Sequence, residues 1–175
     1  MTESDEIIAA ADREFDLGLF KEAHINYGKA LSLGTTREND CRHMRGLCSR
    51  RVAEQRLQKA REIPSMRDTY LLQSARWLAK AEANLESALE EAGVRQSGQL
   101  RLEQALTEDA IAEFMMMTGG DPARRRAEAE RYREEAAKLL GDDALAGASG
   151  GASGGASGGA SGGASGGASP QPAAT

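Results

Sequence analysis

The stretch Gly18-Leu19-Phe20-Lys21-Glu22-Ala23-His24-Ile25-Asn26-Tyr27-Gly28-Lys29-Ala30-Leu31-Ser32-Leu33 decides the fold. Ala23, Tyr27, Ala30 and Leu31 recur at the three- and four-residue spacing of one face of an α-helix. Gly18 frees the backbone for a turn ahead of that helix, and Gly34 is placed to stop it in the left-handed conformation. Ala23 and Ala30 let a second backbone approach closely, while Phe20 and Tyr27 are large enough to wedge between neighbouring helices. Upstream, Ile7, Ile8, Ala11 and Phe15 trace a first helix over 5–17. Two helices joined by so short a turn lie antiparallel. The building unit is an α-hairpin.

The pattern continues downstream. Thr35 and Glu38 form a candidate capping box that opens a third helix reaching Ile63, with Cys41, Met44, Cys48, Val52 and Ala60 along its apolar face. Pro64 ends it, and Ser65 is placed to cap a fourth helix over 66–92. Leu71, Leu78 and Leu85 repeat every seven residues in that helix, a coiled-coil-like seam. At 1.5 Å per residue the third and fourth helices each span about 36–40 Å, long enough for one extended antiparallel hairpin. Gly93 and Gly98 punctuate the next turn. Leu102, Leu106, Ala110, Phe114 and Met117 mark a fifth helix, with a break expected near Thr107. Gly119-Gly120-Asp121-Pro122 is a stop-and-restart signal, and a sixth helix rich in Arg and Glu runs to Leu140 with a thin stripe of Tyr132, Ala136 and Leu140. The Gly-Ala-Ser-Gly repeats and final prolines of 146–175 cannot bury enough apolar surface to offset ordering entropy, so a disordered tail is expected there. The predicted fold is all-α: a helical domain over 1–145 built of antiparallel α-hairpins, followed by the tail.

Gly18, Phe20, Glu22, Ala23, Tyr27, Lys29, Ala30 and Leu31 fall in register with the second half of a tetratricopeptide repeat, which the chain resembles closely over 4–34. Ala11 occupies the small-residue position of the repeat's first helix, and Ala81-Glu82-Ala83-Asn84-Leu85-Glu86-Ser87-Ala88-Leu89 is a fainter echo within an elongated second copy over 37–92. The resemblance implies a stacked helical bundle in which Gly18, Phe20, Ala23, Tyr27, Ala30 and Leu31 are packing positions. It also implies a peptide-binding groove lined by the first helix, whose facing residues here are Asp5, Ile8, Asp12, Phe15 and Asp16. Family members that clamp carboxylates carry Lys and Asn where this chain has Ile8 and Asp12, so an acidic groove for a basic or amphipathic helical peptide is the expectation. The same wording is similar to the microtubule-interacting-and-trafficking three-helix domain, although Asp16-Leu17-Gly18 is one residue shorter than that family's spacing.

Composition narrows the function classes. Only 4% of the 175 residues are aromatic, so the core must be built of small and aliphatic side chains, which suits packed helices. The net charge of -5 provides no global basic field for nucleic acid. Charge is uneven: the first thirty-odd residues are acidic and 37–61 is basic, so either these segments face each other or the basic one faces an acidic partner. No stretch approaches the roughly 20 apolar residues of a membrane helix. Cys41 and Cys48, seven apart on one helix, would lie about 10.5 Å apart and stay reduced, which points to the cytoplasm. His24 and His43 lack partners at metal-ligand spacing, and no phosphate loop or nucleophile elbow is present. Neither metal nor cofactor is expected, nor catalysis. Met115-Met116-Met117 cannot all face one core, so at least one should be exposed. Arg124-Arg125-Arg126 opens a helix, an unfavourable place for positive charge. The expected function is protein–protein interaction as an adaptor. The alternative is an assembly subunit that self-associates through the Leu71/Leu78/Leu85 hairpin.

Overall fold

The computed structural model describes residues 2–141. The expected tail over 146–175 and the last residues of the expected helical domain lie outside the described residues. Six α-helices account for nearly all of the described chain: α1 (Glu3–Asp16), α2 (Phe20–Ser32), α3 (Glu38–Glu62), α4 (Arg67–Leu89), α5 (Val94–Thr118) and α6 (Ala123–Leu140). A single 3₁₀ turn, Pro64–Met66, joins α3 to α4. Among the described residues there is no strand. Each helix packs on its neighbours in the chain, most extensively within the α3/α4 and α5/α6 pairs, and α3 also touches α5. The result is three α-hairpins in succession.

Local chemistry sets the helix ends, not always as the sequence suggested. The capping box sits at Thr2 and Asp5: Asp5 N donates to Thr2 Oγ1 at 3.2 Å, and Thr2 N donates to Asp5 Oδ2 at 2.8 Å. That reciprocal pair starts α1 two residues earlier than its apolar stripe indicates. The box expected at Thr35 and Glu38 does not form. Thr35 Oγ1 instead accepts from Arg37 N at 3.1 Å, a local turn, and α3 begins without a side-chain cap. Ser65 is absorbed into the 3₁₀ turn and caps nothing. Gly119 ends α5 at φ 80°, but α6 starts one residue later than expected: Pro122 is its N-cap, and Asp121, one position ahead, accepts from Ala123 N at 2.9 Å.

Two further expectations are corrected. Gly98 lies inside α5, not in a turn, because the helix approaches α6 there: a Cβ on Gly98 would sit 2.5 Å from Leu140 Cγ. Thr107 does not break α5, since its hydroxyl donates back to Glu103 O at 2.8 Å, a bond compatible with an unbroken helix.

The core runs through all three hairpins. Ile8, Ala11, Ala23, Tyr27, Ala30, Cys41 and Cys48 pack where α1, α2 and α3 meet, with Phe15, Phe20 and Leu31 at the edge. The leucines of the seven-residue seam then take successive levels of the remaining core: Leu71 with Leu57 and Ala60, Leu78 with Ala53 and Ile111, and Leu85 with Ala88 and Leu100. They are only 7%, 3% and 0% exposed. Their surface is therefore spent inside the chain, which removes the seam as a self-association surface.

Candidate functional site

Asp5 spends its carboxylate on the α1 cap, and those bonds from Thr2 hold it below the usual carboxylate range. Ile8 is 1% exposed, so it cannot line an open groove; α2 and α3 cover that side of α1 and make it core. Asp12 accepts a 2.5 Å hydrogen bond from the Tyr27 hydroxyl. Burial, reinforced by that bond to a carboxylate, pushes the phenol of Tyr27 well above its ordinary range. Phe15 stands edge-on to Phe20 with ring centres 5.2 Å apart. Asp16, the last residue of α1, is exposed. Of the five groove candidates, only Asp16 is both charged and unengaged by these contacts.

The packing positions fall together. Gly18 turns the chain at φ 75°, Ala23, Tyr27 and Ala30 are buried, and Phe20 and Leu31 close the edge of the same cluster.

The two charged segments do not neutralise one another. Within 37–61, Arg37 pairs with Asp40, Arg42 with Glu38 and Glu91, Arg50 with Glu54 and Glu103, and Arg61 with Glu113. Among the described residues no α1 carboxylate is in an ion pair. Glu14 instead accepts from Asn26 Nδ2 at 2.9 and 2.8 Å.

A second surface, not foreseen from the sequence, lies where α4, α5 and α6 meet. It is a cleft of about 300 Å³. On α4 the positions 82, 85, 86 and 89 share one helical face, so carboxylates alternate with leucines: Glu82 and Glu86 at the lip, Leu85 and Leu89 below. From α5 come Gln104, Thr107 and Glu108, and Tyr132 of α6 forms the opposite wall. Arg101 crosses the cleft, 5.2 Å over the Tyr132 ring, with Nε 2.9 Å from Glu135 and Nη1 donating to Gln104 at 2.8 Å. Arg125 enters from α6 and donates to Glu82 at 3.0 Å and to both oxygens of Glu108 at 3.1 and 3.0 Å.

Glu108 is buried, and that burial pushes its carboxyl up despite the attraction of Arg125. Glu82, Glu86 and Glu108 thus line one cleft with Leu89 and Tyr132, and one guanidinium is shared between Glu82 and Glu108. Such a lining suits a side chain with an aliphatic stem and a cationic head.

The sequence signal for this cleft was present: two glutamates four apart that flank Leu85 in the second repeat echo. Glu108 stayed hidden because it follows Thr107, where a helix break was expected. Arg125 sat within the Arg124–Arg126 run, of which it alone is ion-paired among the described residues.

Other chemistry-bearing residues have structural surroundings. Both cysteines are free and buried, and burial raises their thiols, that of Cys48 up to about 12, so they stay protonated. Among the described residues no three His, Cys, Asp or Glu side chains are grouped to hold a metal, and no helix is long and apolar enough to cross a membrane. Met116 is 48% exposed, whereas Met115 and Met117 pack against the core. No family model matches the chain, and no curated protein or solved structure matches it.

Proposed function

We propose that the chain is a non-catalytic adaptor of tetratricopeptide-like hairpins, acting in the cytoplasm, that holds a basic or amphipathic helical segment of a partner protein. The observation that carries this reading is the cleft between α4, α5 and α6, with Glu82 and Glu86 above Leu85 and Leu89. A Lys or Arg of a partner helix would lay its methylenes on Leu89 beside Tyr132 and bring its charge to the lip carboxylates. The unpaired acids of α1 add to the attraction and to the encounter rate.

The repeat reading is supported by the succession of three antiparallel hairpins, each packed on the next. Two free, buried cysteines fit a reducing compartment.

Affinity purification with mass spectrometry tests the reading. The wild-type chain and a Glu82→Gln/Glu86→Lys variant serve as parallel baits. A partner recovered by the first and lost by the second, with helical circular dichroism unchanged, is expected. An identical set of recovered partners for both baits contradicts the cleft as the binding surface.

A further inference from the structure

Away from the cleft, where α2, α3 and α4 converge, the charge is of the opposite sign and has no counterpart. The Arg45 guanidinium lies beside Gly28, with its Nη2 3.4 Å from His24 Nε2. The His24 ring meets Trp77 edge-on at 5.1 Å, and Lys80 Nζ sits 4.3 Å from the centre of the Trp77 ring. His24 Nδ1 is turned inward, 3.2 Å from Ser49 Oγ and 3.3 Å from Arg45 O.

The buried Arg50 and the half-buried Arg42, Arg101, Arg125 and Arg133 all have a carboxylate, whereas the half-buried Arg56 lies over the Tyr70 ring. Arg45 and Lys80 have none among the described residues, and Arg45 Nε, like that of Arg50 and Arg56, is enclosed without an acceptor. Burial first, and then the cations Arg45 and Lys80, hold the His24 imidazole down to about 4. Burial likewise lowers Arg45, with no carboxylate to offset it. Desolvating a guanidinium without a counter-charge is costly, and an incoming anion would remove that cost.

We propose that the notch between α2, α3 and α4 is an anion site for a phosphate-type group, held by the Arg45 guanidinium and the Lys80 ammonium beside the Trp77 indole. Two cations favour a dianion, and the guanidinium supplies directed donors while the ammonium acts as a mobile point charge. The group could reach the notch as a free ion or on a phosphorylated side chain of a partner. Its chemistry at the notch is the same in either case.

Trp77 is the only tryptophan of the chain, so its fluorescence reports directly on the notch. The full chain is titrated at pH 7 with inorganic phosphate, and separately with O-phosphoserine, each against sodium chloride of equal ionic strength. A saturable change with the phosphates and none with chloride is expected. Lys80→Met, at an exposed position, should weaken the midpoint roughly tenfold, about 1.4 kcal/mol, and Arg45→Met at least as much. Tighter binding of O-phosphoserine identifies a modified side chain as the source, and tighter binding of phosphate identifies the free ion. A response that chloride reproduces, or that Lys80→Met leaves unchanged, overturns the proposal.

Discussion

Arg125 of α6 and Glu108 of α5 form a two-oxygen pair at 3.1 and 3.0 Å, so the last helix supplies the charge that lets a carboxylate lie buried on its neighbour. Glu82 of α4 shares the same guanidinium nitrogen. One side chain thereby ties the second hairpin to the third at the edge of the cleft. Removing Arg125 leaves Glu108 buried and unpaired, the costly half of a broken ion pair. Because Arg125 is itself 35% exposed, solvent screening reduces the loss. Arg125→Met is expected to destabilise by about 1–2 kcal/mol, roughly 3–6 °C in Tm. Adding Glu108→Gln should recover part of that in a thermal melt at pH 7. A double variant no more stable than Arg125→Met would contradict the pairing.

Histidine burial gives a pH dependence with a definite sign. The imidazole of His24 is lowered to about 4 by burial first and then by Arg45, and His43 is also lowered by burial. Their folded values lie below the unfolded value of about 6.5, so the unfolded chain takes up protons first on acidification. Stability from His24 is present above about pH 6.5 and is lost as the pH falls toward 4. Between pH 7.0 and 5.5 the loss should be about 1 kcal/mol in urea unfolding. His24→Gln should shrink the slope to the part that His43 supplies; an unaltered slope would show that His24 is not held neutral.

Close helix approach separates two glycines by what faces them. A Cβ on Gly46 of α3 would sit 2.7 Å from Leu85, a side chain fully enclosed in the core. A Cβ on Gly98 would meet Cγ of Leu140 at 2.5 Å and the Cβ of Leu139 at 3.2 Å, but Leu140 is the last residue of α6 and only half-buried, so it can shift more cheaply than Leu85. Alanine gains about 1 kcal/mol of helix propensity at either site. Gly46→Ala is nonetheless expected to lose about 1–2 kcal/mol net, and Gly98→Ala to stay within about 0.5 kcal/mol of wild type. Equal effects in chemical denaturation would refute the difference in packing.

The leucine seam has a purely internal role in this structure. Leu78→Ala should cost about 2–5 kcal/mol, the range for emptying a core position. Circular dichroism melts will report it as a melting temperature lowered by several degrees or more. A variant that melts like wild type would return Leu78 to the surface.

Much of this architecture was legible in the chain. Six helices and their order followed from apolar periodicity and from Gly34, Pro64 and Gly119-Gly120, because those signals are local. What failed needed a partner from elsewhere in the fold. Gly98 looks like a turn residue until α6 supplies Leu140, and Ile8 looks like a groove residue until α2 and α3 cover it. The Leu71/Leu78/Leu85 line announces a packing seam without saying whether the other half is a second copy or, as here, α3 and α5 of the same chain. The acidic lip of the cleft was readable as Glu82 and Glu86, yet only the fold brings Glu108, Arg125 and Tyr132 to it.

The proposed role is tested most directly by calorimetric titration of the full chain with a short amphipathic helix of Leu, Ala and Lys, beside the same peptide with Glu in place of Lys. The expected result is saturable binding of the lysine peptide, none of the glutamate peptide, and at least a tenfold loss, about 1.4 kcal/mol, in Glu82→Gln/Glu86→Lys. Binding of both peptides alike, or undiminished binding by that variant, would contradict the assignment of the α4/α5/α6 cleft as the place where a partner is held.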